Sequence, residues 1–141
     1  MKNLSGIFIL SFCLFSGCTK STVVSSNTLN ENPDTAKAVI AFSGSFINGP
    51  FGTVTGQVTV YLQEGRFTVA LKDFMTSCGP DLHLYLSQEK QPIHFIELGK
   101  LDSTYGYQLY DFPGQPDFKL YTYVLIHCQQ FNHLFGISSI Q

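Results

Sequence analysis

The 141-residue chain sets eight Lys and Arg against ten Asp and Glu, a formal net charge of −2, with 44% hydrophobic residues and no tryptophan. That balance excludes a nucleic-acid role, because no basic cluster is present to neutralise phosphates. The length leaves room for one ordinary domain and no second.

Met1, Lys2 and Asn3 give a positively charged start, and Ile7 to Phe15 an apolar run, together the shape of a secretory signal peptide. The run is too short to span a bilayer, which takes about 20 apolar residues. Ser16 and Gly17 then stand directly before Cys18. Two small residues before a cysteine resemble the lipobox of bacterial lipoproteins, although Phe15 stands where Leu is usual. The resemblance implies that residues 1–17 are removed as a leader and that Cys18 carries lipid. The membrane is then a partner, held through that lipid with a fatty chain such as palmitate, and the domain lies in the cell envelope outside the cytoplasm.

Thr19 to Lys37 is rich in Ser, Thr and Asn with no apolar period, so residues 18–37 are expected to form a solvated tether. The domain is placed at 38–141. Within it five basic residues (Arg66, Lys72, Lys90, Lys100, Lys119) face eight acidic ones.

Val54, Gly56, Val58, Val60 and Leu62 alternate with Thr55, Gln57, Thr59 and Tyr61, a period of two that predicts a half-buried strand. Gln63, Glu64, Gly65 and Arg66 predict a hairpin turn into a second strand, with Phe67, Val69 and Leu71 on one face. Leu82, Leu84 and Leu86 alternate with His83 and Tyr85; Ile93 to Leu98 is a short apolar run; and Tyr121 to Cys128 is rich in aromatic and β-branched residues. Turn signals stand at Asn48-Gly49-Pro50, Cys78-Gly79-Pro80-Asp81, Leu98-Gly99-Lys100, Tyr105-Gly106 and Phe112 to Pro116. No segment carries a helical stripe. The expected fold is all-β, an antiparallel sandwich or small barrel of roughly seven to nine short strands.

Of the four cysteines, Cys13 leaves with the leader and Cys18 is taken by lipid, so Cys78 and Cys128 remain. Two cysteines in an exported domain most often pair. A Cys78–Cys128 bridge would close 51 residues and contribute about 4 kcal/mol by loop-closure entropy. The competing reading is a free or cycling pair. A reactive thiol favours a nearby positive charge, and neither cysteine has Lys or Arg close in sequence.

The run Gly79-Pro80-Asp81-Leu82-His83-Leu84-Tyr85-Leu86, then Glu97-Leu98-Gly99-Lys100-Leu101, Gly106-Tyr107-Gln108-Leu109, Val124 to Phe131, and Leu134-Phe135-Gly136 resembles the DM13 domain, motif by motif and in order. Gly44-Ser45-Phe46 and Thr55 to Val58 fit its opening. The resemblance implies a β-sandwich related to extracellular redox modules, with a part in electron transfer or oxidative modification at the cell surface. It also implies that one cysteine of the C-terminal strand, here Cys128, serves as a free thiol or as ligand to a group such as haem. Two positions depart from the pattern: His127 stands where Trp is typical, and Cys78 where a polar residue such as Asn is typical.

Adjacent strand residues face opposite sides, so His127 and Cys128 are not expected to ligate one metal. His83, His94 and His133 show no ligand spacing, and no metal site is expected. Asp81 is expected to cap its own turn. Tyr121 with Tyr123, and Tyr105 with Tyr107 and Tyr110, are candidates for either sheet packing or an exposed stacking surface for sugar. The leading expectation is therefore a membrane-anchored redox module centred on Cys128, with a redox or envelope protein as partner. The alternative is a non-enzymatic envelope scaffold stapled by the disulfide. A stand-alone hydrolase is disfavoured, because no nucleophile, base and orienting group stand out together.

Overall fold

The computed structural model describes residues 37–141, so the expected leader, Cys18 and the tether up to residue 36 lie outside the described residues. Eight strands follow in chain order: β1 (Val39–Asn48), β2 (Val54–Gln63), β3 (Arg66–Thr76), β4 (Leu82–Ser87), β5 (Phe95–Lys100), β6 (Tyr105–Asp111), β7 (Tyr123–Cys128) and β8 (His133–Ser139). There is no helix among the described residues. All neighbours pair antiparallel in one sheet of order β5-β4-β7-β8-β1-β2-β3-β6, curled into a nearly closed barrel.

β1 joins the two halves of this sheet. Its first part, Val39 to Ser45, pairs with β2, and its last three residues, Phe46 to Asn48, pair with β8. The strands alternate in direction, so the β1–β2, β3–β4, β5–β6 and β7–β8 connections gather at one end. Backbone hydrogen bonds knit that end together: Ser77 N–H to Thr53 O (2.9 Å), Thr76 N–H to Thr104 O (2.8 Å), Gln129 N–H to Asp81 O (3.0 Å) and Phe51 N–H to Leu134 O (3.2 Å).

The period-two pattern fills the interior. Val58, Val60, Val69, Leu71, Leu84, Leu86, Val124 and Ile126 are fully buried in one core with Phe74, Phe135 and Cys128. The β2–β3 turn is a two-residue hairpin with positive φ at Glu64 (49°) and Gly65 (77°), the primed geometry that matches strand twist. Two expected turns lie inside strands instead. Gly99 sits on β5 at a bulge, where the β4 register passes from Gly99 to Glu97 and skips Leu98; its φ of +138° suits only glycine. Gly106 lies on β6 opposite Phe74, again with positive φ (+98°).

Gly136 is required by packing. A Cβ there would come within 2.6 Å of Val54 Cγ2, and Val54 is itself buried. Gly136→Ala is expected to cost about 1–3 kcal/mol through overpacking, read from the urea midpoint. The cost should be smaller in a Val54→Gly background, where the Val54 Cβ and both Cγ atoms are gone; an equal cost in both backgrounds would remove Val54 as the cause.

Candidate functional site

β7 lies between β4 and β8, and all its residues except Tyr123 are buried. Its alternation splits the strand between two apolar clusters. Val124, Ile126 and Cys128 turn into the main core. Leu125 turns the other way, where it packs with Tyr85 and Leu134. His127 follows Leu125 onto this outer face, as its parity requires. Opposite His127 the β8 register jumps from Gly136 to Leu134, leaving Phe135 as the extra residue of a bulge. Phe135 drops into the core, and Leu134 stays on the outer face.

His127 is only 5% exposed. Its Nε2 lies 3.1 Å from Asn132 Oδ1. An amide oxygen only accepts, so Nε2 carries the proton and donates, and Nδ1 presents a lone pair. That Nδ1 is buried with no hydrogen-bond partner. Burial holds the imidazole's pKa below the ordinary histidine value; the Asn132 bond opposes this, and His133 and His83 add to it.

Tyr85 stands beside His127 with ring centroids 5.3 Å apart. Phe95 stacks on the other side of Tyr85 at 4.2 Å, and Phe95 is 40% exposed. Burial raises the phenol's pKa. A Gln129 hydrogen bond opposes the shift, and Glu97, Asp81 and Cys128 add to it.

Next along the same face, His83 is held between two carboxylates: Nδ1 lies 2.6 Å from Glu97 Oε1 and Nε2 lies 3.2 Å from Asp81 Oδ1. Lys100 Nζ donates to the same Asp81 oxygen at 3.0 Å. The Lys100 bond first, then the His83 bond, holds the Asp81 carboxyl below its ordinary pKa. The Asp81 side chain therefore forms a cross-strand ion cluster rather than the local turn cap expected from sequence. His83 and Tyr85 were legible as one face of β4, but their joining to His127 and Glu97 was not, because it depends on which strands become neighbours.

The two candidate cysteines are both free thiols, Cys78 exposed and Cys128 buried. The expected bridge is not formed. Cys128 turns inward with Ile126, whereas Cys78 sits on the exposed β3–β4 loop before Gly79, which rests on Leu82 and Phe135. The space around Cys128 is filled by core side chains, and the thiol is 0% exposed. A group the size of haem does not fit there. Among the described residues, no three His, Cys, Asp or Glu side chains could hold a metal ion. The tyrosines separate as well: Tyr110 is core, its hydroxyl donating to Gln108 Oε1 at 2.7 Å and its pKa pushed up to about 12 by burial. Tyr105 and Tyr107 remain exposed on β6. A polar cleft lined by Gln63, Glu64, Arg66, Thr68, Asp111 and Gln115 lies at the strand ends remote from Cys128.

The lowered histidine pKa gives a signed prediction. The unfolded chain binds a proton at His127 near pH 6.5, where the folded chain still resists it. Stability is thus fully present above about 6.5 and declines as pH falls from there toward the folded pKa. His127→Gln should flatten the loss of urea midpoint on mild acidification; an unchanged slope would assign the loss to other groups. At the alkaline side, Tyr110 should cost stability between about pH 10 and about 12, and Tyr110→Phe should abolish that loss.

No curated protein and no solved structure matches the chain. A family model described as "Electron transfer DM13" matches residues 45–140, which takes in all of β2 to β8 and the last four residues of β1. With more than half of its length matched, the chain belongs to the DM13 family.

Proposed function

We propose that this DM13 domain is an electron-transfer module of the bacterial cell envelope, held outside the cytoplasm by lipid on Cys18, with the Cys128 thiol as its redox-active group. The observation that carries the reading is the state of Cys128: a free thiol, fully enclosed, on an interior strand of a domain whose family is described by electron transfer. Thiol–disulfide exchange needs an attacking thiolate in contact with its target. A sealed thiol cannot make that contact, so this reading requires a one-electron cycle in which Cys128 gives up one electron and its S–H proton to a redox partner in the envelope and takes both back on reduction. Haem is not required at Cys128, and the packing around it leaves no place for one.

A second reading has its own support. A buried cysteine packs as a small hydrophobe, and Cys128 fills the core as one. In that case the domain is a scaffold for envelope partners and the cysteine is structural.

Electrochemistry of the full chain, adsorbed from detergent, separates the two. The redox reading expects a reversible signal that is lost in both Cys128→Ser and Cys128→Ala, with the fold retained in at least one variant. The scaffold reading expects no signal that depends on Cys128. The anchor is tested separately by fatty-acid labelling in cells: Cys18→Ser should lose the label, and a chain that keeps it would contradict the lipid assignment.

A further inference from the structure

The chain enters the barrel at the start of β1, and the β2–β3, β4–β5 and β6–β7 connections lie at that same end. Val39 and Ile40 open β1 and pair with Leu62 and Tyr61 of β2. Consecutive strand residues face opposite sides, so a half-buried strand covers one of each adjacent pair. Here both are open, Val39 at 66% and Ile40 at 58%. Ile93 in the β4–β5 loop and Leu120 in the β6–β7 loop are exposed as well. These four residues stand on one continuous rim. Phe118, in the same loop as Leu120, stacks on Phe42 of β1 at 4.6 Å. Tyr123, which follows that loop, pairs with Ser87, and the Ser87 hydroxyl holds the Ile93 loop by donating to Gln91 O at 3.1 Å.

Charge is distributed to suit an anionic surface at this end. Of the six Lys and Arg among the described residues, Lys37, Arg66, Lys90 and Lys119 lie here, balanced by Glu64, Glu89, Asp111 and Asp117. The rest of the domain carries Asp73, Asp81, Glu97 and Asp102 against Lys72 and Lys100, so the net negative charge of the described residues falls away from the entry end. The opposite end also exposes apolar side chains, Phe51 and Phe131 among them, but it shares them with that negative charge. An anionic bilayer repels the one end and not the other.

Cys18 stands about 20 residues before Val39, and a chain of that length reaches at most about 70 Å even when fully extended. We infer that the rim is a second membrane contact: Val39, Ile40, Ile93 and Leu120 enter the headgroup boundary of the bilayer that holds the Cys18 lipid, and the basic side chains beside them reach its phosphates. Four apolar side chains make a weak membrane site for a free protein. Once the lipid is inserted, the second contact is intramolecular, with an effective concentration in the millimolar range for a short linker, and a weak site is then filled. The domain stands on its entry end. The opposite loops, with Cys78 and the cluster of Asp81, His83 and Lys100, face away from the membrane toward an envelope partner. The contact rests on the lipid anchor proposed above and is independent of Cys128.

The chain has no tryptophan, so one substitution supplies a single fluorescent reporter. The test uses the full chain, isolated from membranes with its lipid and reconstituted into vesicles of phosphatidylethanolamine and phosphatidylglycerol, with and without brominated acyl chains. Ile40→Trp, Ile93→Trp and Leu120→Trp should each lose emission to the bromine, whereas Phe51→Trp and Phe131→Trp, at the opposite end, should keep theirs. Adding Ile93→Asp to the Leu120→Trp chain should lower the quenching while flotation with the vesicles and the circular dichroism spectrum stay unchanged, since both positions are exposed. Flotation reads the anchor, and quenching reads the rim. Rim reporters that keep their emission on a chain that floats overturn the contact and leave the anchor standing. Equal quenching at the two ends overturns the orientation. A chain that does not float removes the anchor and the rim contact with it.

Discussion

A strand hydrogen-bonded on both sides keeps one choice, the face to which each side chain turns, and in β7 that choice arranges most of the chemistry of this domain. The strand is buried on both faces, so neither direction leads to water. Val124, Ile126 and Cys128 are committed to the interior of the barrel, and Leu125 and His127 to a second apolar layer outside it. Adjacent residues that look like one motif in sequence, His127-Cys128, thus belong to separate environments. The thiol gains a packed, solvent-free site. The imidazole gains a face shared with Tyr85 and His83.

The bulges adapt the sheet around this strand. The extra residue on β8 sends Phe135 into the core while Leu134 remains outside, so β8 can cover both faces at the level of His127. The β5 bulge at Gly99 brings Glu97 opposite Tyr85, which puts a carboxylate within reach of His83 Nδ1. Bulges re-aim side chains without ending a ladder, and here two of them converge on one face. The loops at the same end are tied to one another through backbone hydrogen bonds, so the cluster of Asp81, His83 and Lys100 is held at a fixed edge of the sheet.

Much of the core was legible in the sequence because it follows a local period. The inward sets of β2, β3 and β4 follow the period of two, and the hairpin at Glu64-Gly65 follows from turn chemistry. Three strands carry no such local signal. β1 alternates poorly because it changes partners midway, leaving much of it exposed. β6 and β8 each carry a glycine that local rules assign to a turn or bend, Gly106 and Gly136; here the one is set by a positive φ and the other by contact with Val54. The site was half legible. Parity correctly separated His127 from Cys128 and joined His83 to Tyr85, but the neighbourhood of β4 with β7 is a long-range pairing that no local pattern contains. The expected Cys78–Cys128 bridge failed for a similar reason. Cysteine counting gives the number of candidates, and the direction of each side chain decides whether they can meet.

The claim on which the redox account stands is that Cys128 is a free thiol sealed in the core. Alkylation of the chain isolated from membranes without reductant, read by mass spectrometry before and after unfolding, tests it most directly. Cys78 should be modified in the folded protein, and Cys128 only once the chain is unfolded, with no reductant added. A Cys128 that stays unmodified after unfolding until reductant is supplied, or that reacts in the folded protein as fast as Cys78, would contradict the account.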